Sequence, residues 1–478
     1  MPWRGKIGLG LALVLSAPAV ASAQYPPTVS TNPTFSTNPT LSVADGLTGT
    51  DASDISLPPL VTVPWIAPAP VGDVRSVFED PLVPTESTPV PTLLAQPRPS
   101  EPKLGPYPVD QVKFLQNALL PADSRLKIYG WLETEYTYRS TGPGRTTVAP
   151  VMDRFGNEFL LRQLALRIER PLNPNDWSWG FNMQPYAGSD PAFLNPIRGA
   201  IIDHPNPRFG FDFSDLNLTA HLPILTEGGV DLKAGRQTTV IGSQAAQAPW
   251  RIFASSDYQW YIAQEGRYTG VSGTWHVHPQ LDLHYGLEMG WGTFFENLSV
   301  APTHIAQVNY WLQEDKRTKF TATLLTGPER PHYSGNTTVV ELRVTQNWNR
   351  HLTQIVQSHI GYSDGNIFGP LAPKEHFGGL WNIFSYHVDP LWDVNFRTEW
   401  YDDVNGGGYP GGFGPLIGPN NYYEVTLGLD HHPTKWLQIR PEIRGDFADR
   451  NPAFGAVDRP GSLRREQLTL ALEMLIKF

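Results

Sequence analysis

Leu281-Asp282-Leu283-His284-Tyr285-Gly286-Leu287-Glu288-Met289-Gly290-Trp291 alternates in character at every step. On a pleated strand successive side chains take opposite faces, so Leu, Tyr, Met and Trp form one face and Asp, His, Gly and Glu the other. The period recurs downstream. Trp392, Val394, Phe396, Thr398 and Trp400 oppose Asp393, Asn395, Arg397 and Glu399. Leu437, Ile439, Pro441 and Ile443 oppose Gln438, Arg440, Glu442 and Arg444. At the end of the chain Leu468, Leu470, Leu472, Met474, Ile476 and Phe478 oppose Gln467, Thr469, Ala471, Glu473 and Lys477. From Arg125 to Phe478 this reading predicts sixteen such segments of roughly 8 to 14 residues.

A sandwich packed around an apolar core also alternates, but its strands average only about 5 to 6 residues. A tilted strand crossing a bilayer needs about 9 to 11, with its apolar face on lipid and its polar face on a watery lumen. Closure into a ring meets every backbone N–H and C=O, which an open sheet in hydrocarbon cannot do. The sequence therefore predicts an all-β protein, a transmembrane antiparallel β-barrel of about 16 strands over residues 125–478.

Connection lengths support this independently. Short links at 171–176, 223–229, 279–280, 313–317, 349–351, 389–390 and 433–434 alternate with long ones at 140–157, 189–213, 238–265, 292–302, 327–336, 363–375, 402–421 and 448–462. Outer-membrane barrels keep short turns in the periplasm and long loops outside, so both termini are expected in the periplasm. Trp177, Trp392 and Trp436 stand beside short turns, the depth of an interfacial aromatic girdle. A propeller is the competing β architecture, but no fixed four-strand period repeats.

The N-terminus carries an address. Arg4 and Lys6 precede an apolar run at 7–20 and the small residues Ala21-Ser22-Ala23, the pattern of a signal peptide at 1–23 cut before Gln24. Residues 24–107 are rich in Pro, Ser and Thr, the composition of a disordered, extended leader. At 108–124 the spacing of Val112, Leu115 and Leu119 behind Asp110 predicts a short helix and lead-in, with core packing its ordinary use.

Composition excludes several classes. The 478 residues contain no cysteine, which removes disulfide scaffolds, thiol enzymes and cysteine-ligated metals. A formal charge of −10 without a basic run gives no footprint for nucleic acid. Residues 125–478 hold 36 acids against 30 bases. Inward acids and bases interleave as Asp231/Lys233, Glu341/Arg343, Arg397/Glu399 and Arg440/Glu442/Arg444, and these are the expected pore-lining residues. They set up either a transverse field or plain cross-strand pairing. The net of −6 favours mild cation preference. The longest link, 238–265, carries Arg251, Asp257, Tyr258 and Trp260. Folded inward it would be a constriction loop, its charges near opposing wall charges and its rings free to stack on sugars.

No catalytic set stands out, no enzyme activity is expected, and no cofactor is implied. His276 and His278 could bind a metal, but no third ligand lies near them in sequence; His431 and His432 point to opposite faces. The expected function is an outer-membrane porin, a water-filled channel for passive diffusion of small hydrophilic solutes or ions. The alternatives are a barrel whose surface loops carry adhesion or hydrolase activity, and a secreted carbohydrate-active β protein.

Three stretches carry a resemblance. Phe478, behind Leu472, Met474 and Ile476, resembles the C-terminal signal that the outer-membrane insertion machinery reads. Leu232-Lys233-Ala234-Gly235-Arg236-Gln237 resembles the end of the fifth strand of general porins, before their pore-constricting third loop. Residues 157–185, with Phe159-Leu160-Leu161-Arg162-Gln163-Leu164 and Trp177-Ser178-Trp179-Gly180, are similar to the OmpL-like beta-barrel porin family. The likeness covers 125–478 and implies a lipid-embedded porin, a possible homotrimer, with small polar solutes as its permeants.

Overall fold

Strands of 9 to 15 residues dominate the computed structural model. It describes residues 110, 112–146, 155–193, 208–262, 266–291, 293–295, 301–328, 335–364, 374–406, 418–456 and 460–478. The expected signal peptide and proline-rich leader lie outside the described residues.

The barrel strands are β1 (Lys127–Arg139), β2 (Glu158–Arg170), β3 (Ser178–Gly188), β4 (Gly210–Leu222), β5 (Val230–Thr238), β6 (Arg267–His278), β7 (Leu281–Trp291) and β8 (Thr303–Trp311). They continue as β9 (Thr318–Pro328), β10 (Asn336–Asn347), β11 (Leu352–Ser363), β12 (Glu375–Asp389), β13 (Trp392–Asp403), β14 (Asn420–Thr434), β15 (Leu437–Ala448) and β16 (Glu466–Lys477). Each pairs antiparallel with its sequence neighbours, and β1 pairs with both β2 and β16, closing the ring. The expected sixteen-stranded antiparallel barrel is what forms. A two-residue ribbon, Gly144–Arg145 with Phe155–Gly156, lies in the β1–β2 connection.

Burial along the strands is inverted relative to a protein with an oily core. In β16, Leu472 is 53% exposed while Thr469 and Glu473 are each 1% exposed. Arg162, Arg236, Arg267, Arg397, Arg440 and Arg444 are among the largest fully buried side chains. Charges are almost never fully buried unless paired, so an interior of this kind is the lumen of a barrel whose apolar side faces hydrocarbon. Among the described residues no helix is long and apolar enough to cross a membrane; the crossings are strands.

Two short turns sit one or two residues later than the sequence suggested. β12 runs to Asp389 and β14 to Thr434, each through a register shift, His387/Asp389 and His431/Thr434. Pro433 falls within the second shift, where a residue without an N–H removes no ladder bond. Trp436 consequently lies in the turn itself.

The final residue extends the closing seam, which pairs β1 with β16 from Trp131 and Lys477 to Arg139 and Thr469. Gly130 N donates to Phe478 O at 2.7 Å and Phe478 N to Gly130 O at 2.8 Å. A Cβ on Gly130 would stand 2.5 Å from the Phe478 ring, so only glycine admits that approach. Beyond Phe478 the edge of β1 is taken by a short helix, α1 (Phe114–Leu119). Its Gln116 accepts from Ile128 N and donates to Leu126 O, both at 2.9 Å. The helix has no buried residue, and Phe114 and Leu119 are exposed. Core packing is therefore not its role; a side-chain amide mimicking a strand is.

Candidate functional site: the inward loop and the lumen wall

β5 ends at Gly235-Arg236-Gln237-Thr238. Arg236 is fixed by Asp212 Oδ2 at 2.8 Å and by the carbonyls of Phe213 and Thr293. The connection that follows turns into the lumen. A short 3-10 turn at Ala248–Trp250 has Pro249 at its start, and a one-turn helix, α2 (Gln259–Ile262), is capped by Asp257 Oδ1 accepting from Trp260 N at 2.6 Å.

Irregular backbone in an enclosed space leaves many N–H and C=O groups to satisfy. The wall charges do this. Glu442 accepts from Ala254 N at 3.0 Å, Ser255 N at 3.2 Å and the Ser255 hydroxyl. Glu399 accepts from Tyr258 N at 2.7 Å and Gln259 N at 3.0 Å. Arg397 donates to Ser255 O at 3.0 Å, Arg440 to Ala248 O at 2.8 Å and Arg251 O, and Arg444 to Ser256 O at 2.6 Å. Wall acids take loop N–H groups and wall bases take loop carbonyls.

The same bases remain ion-paired within the wall. Arg397 meets Glu424 at 3.0 Å, Arg444 meets Asp446 at 2.8 Å, and Arg440 bonds Glu473. From the loop side Arg251 reaches Glu133 at 2.7 Å and Asp190 at 3.3 Å. Arg162 joins Glu133, Glu135 and Asp190. Burial pushes the Asp257 carboxyl up to about 6, against the pull of Arg397.

The loop aromatics are spent on packing. Trp131 and Trp250 meet edge to face at 5.6 Å, Phe253 lies under the Arg397 guanidinium at 4.6 Å, and Tyr258 packs on Tyr401 and Tyr422 while donating to Asp446 at 2.5 Å. Phe253, Tyr258 and Trp260 are at most 3% exposed. Stacking on sugars needs open ring faces, and Phe253 and Tyr258 already spend theirs on Arg397, Tyr401 and Tyr422. Nearer the long loops, Ile241 and Phe454 join inward-facing Ile305, Leu325 and Val339 in one apolar cluster.

The lumen thus has two unlike sides. On β12 to β16 and β1, Arg397, Glu399, Arg440, Glu442 and Arg444 face inward but are covered by the loop. Across β2 to β10 some charges keep contact with solvent, Asp231 being 36% exposed, Asp282 22% and Arg167 15%, while Arg162, Arg236 and Arg267 are buried and Arg162 and Gln163 also bond the loop at Ala254 O and Ala246 O. Lys233 is half-buried there, and Arg343 stands 3.4 Å from fully buried Glu341. Trp177 and Trp436 are exposed on the outside at the short-turn end, where Trp392 stacks on His431 with centroids 3.8 Å apart.

His276 is inward and bonds Asp282 at 2.7 Å and Asp231 at 3.1 Å, while His221 meets Asp231 at 2.6 Å. Asp282 stands across the short turn from it, close in sequence, whereas Asp231 comes from a separate strand that sequence proximity could not supply; His278 is exposed and turned away. Sequence reasoning also passed over Glu133, Glu135, Arg162, Asp190, Glu424, Asp446 and Glu473. The available signal was the same one used elsewhere, a charge at an inward position of an alternating strand.

Two solved structures share the fold. The outer membrane channel DcaP of Acinetobacter baumannii matches with a TM-score of 0.50 and 12% identity, covering 74% of this chain and 97% of that one. An anion-selective porin from Comamonas acidovorans matches with a TM-score of 0.50 and 11% identity, covering 74% and 99%. No curated protein matches the sequence. The family model described as beta-barrel porin-2, OmpL-like, matches residues 125–478, the whole barrel. A closed, inverted barrel with a polar, loop-lined lumen belongs in the outer membrane as a passive channel, and by that match the chain is a member of the OmpL-like beta-barrel porin-2 family.

Proposed function

We propose that this porin passes small hydrophilic solutes and ions along the β2–β10 side of its lumen, with residues 239–262 acting as the constriction. The carrying observation is the asymmetry of the interior. Most of the loop's bonds to wall charges are made on β12 to β16 and β1, and the charges left in contact with solvent, among them Asp231, Lys233 and Arg343, stand on β5 and β10. Inward charges of both signs line that side, Glu169, Asp215, Asp231 and Asp282 with Arg167, Lys233, Lys319 and Arg343. Mild cation preference rests instead on the excess of 36 acids over 30 bases in residues 125–478, since net charge of one sign concentrates its counter-ion.

The short-turn end is read as periplasmic, which puts both ends of the barrel sequence there. Export through a signal peptide at 1–23, insertion by machinery reading Phe478, and a homotrimer complete the reading. Planar-bilayer recording of the purified protein tests it. Stepwise conductance with a reversal potential favouring potassium over chloride in a salt gradient is expected. A sealed bilayer refutes the channel, and preferential chloride flow refutes the selectivity.

A further inference from the structure

A pattern recurs at the short-turn end of the lumen, where His221 faces Asp231, His276 faces Asp282 and His387 faces Asp393 as direct cross-strand partners. In the first two the rings and carboxylates bond one another in a chain, His221 to Asp231 to His276 to Asp282. The third is different. Asp393 stands opposite Asp430, and His432 enters from the same strand as Asp430. His432 Nε2 lies 3.3 Å from Asp430 Oδ1 and 4.0 Å from Asp393 Oδ2. One donor atom from each of Asp393, Asp430 and His432 falls within 4.8 Å of the other two, and all three residues are buried.

A tetrahedral ion with bonds of about 2.0 to 2.1 Å spaces its donors roughly 3.3 Å apart. His432 Nε2 and Asp430 Oδ1 stand at that spacing, longer than a charge-assisted hydrogen bond, and Asp393 Oδ2 lies somewhat farther off at 4.0 Å. A second observation points the same way. Gln438 Nε2 donates to Asp430 Oδ2 at 2.9 Å, but its Oε1, on a side chain 3% exposed, has no hydrogen-bond partner and lines the same cavity. That cavity is bounded by Asp393, Asp430, His432 and Gln438 of the wall and by Arg251 and Ile252 of the inward loop. His387 Nδ1, 2.8 Å from Asp393 Oδ1, supplies the outer bond that orients a ligating carboxylate.

We propose that Asp393, Asp430 and His432, with Gln438 Oε1, bind a divalent transition-metal ion of the zinc class. One nitrogen and several hard oxygens suit such an ion better than calcium, which takes 6 to 8 oxygens. Lys477 also lines the cavity and opposes a cation, so two carboxylates rather than one are needed to hold it. An ion there would sit against Arg251 and Ile252 of the inward loop, on the wall that holds it.

The test is titration of the detergent-purified, chelator-stripped full chain with zinc chloride by calorimetry. One site per chain is expected, and Asp393→Asn and His432→Gln should each weaken it at least tenfold. His221→Gln with His276→Gln should leave it unchanged. Absence of a stoichiometric site in the parent protein, or loss with the His221/His276 pair instead, overturns the proposal. Should a variant lose its heat-modifiable mobility, Gln438→Leu is the second variant: a several-fold weakening supports the site and parent-like binding refutes it. Calorimetry reads binding without conductance, so a protein that binds zinc yet seals a bilayer would refute the channel and leave this site standing.

Discussion

Arg440 and Asp231 both sit at inward positions of alternating strands, yet they do different work. Arg440 is fully buried, bonded to Glu473 and to two loop carbonyls. Asp231 keeps more than a third of its side chain in contact with solvent and bonds two histidines. The same binary pattern therefore encodes two environments: inward charges that hold a loop and inward charges that stay in contact with solvent. Charge in a lumen is not in itself selectivity; whatever covers it decides.

Removing residues 247–257 tests the comparison most severely. Single-channel conductance should rise several-fold, because the segment filling one side of the lumen goes; an unaltered conductance would show that ions never passed beside it. Next is stability. Glu473→Ala strands the Arg440 guanidinium, and breaking a buried pair costs about 3 to 5 kcal/mol, whereas Asp231→Asn on the exposed side should cost no more than about 1 kcal/mol. Unfolding in urea with heat-modifiable mobility as the readout separates them, and equal losses would erase the distinction between the two sides.

Selectivity should reverse that order. Asp231→Lys should move the reversal potential toward chloride, while Arg444→Gln, under the loop, should move it far less. A larger shift from Arg444→Gln would place the ion path on the opposite wall.

A smaller effect is expected from pH. Because burial raises the Asp257 carboxyl from 3.8 to about 6, its neutral form favours the folded loop. That contribution is complete below about pH 4 and is lost as pH rises through about 6. Current noise from loop motion should therefore grow between pH 4 and 6, and Asp257→Asn should flatten the profile. Trp436→Ala, in an exposed turn at the membrane boundary, should lower stability by about 1 kcal/mol or less.

Strand number, closure and most turns were legible because a period of two over long segments has few competing explanations. Leu281 to Trp291 alone constrains both faces. What escaped were partners. Glu442 reads as one rung of a charge ladder, and only tertiary structure reveals that it receives Ala254 and Ser255 from nearly two hundred residues upstream. Likewise Asp282 lies near His276 in sequence, but Asp231 reaches the same ring from another strand. Alternation states which way a side chain points; it carries nothing about what arrives to meet it. Pro433 in β14 shows a finer limit, since a register shift tolerates what a regular strand forbids.

The seam between Gly130 and Phe478 has a mechanical consequence. Where first and last strands meet, it adds two short bonds at one rim of a zipper that runs from Trp131 beside Lys477 to Arg139 beside Thr469. A ring that frays does so from its rims, so this clasp guards the short-turn mouth against unzipping.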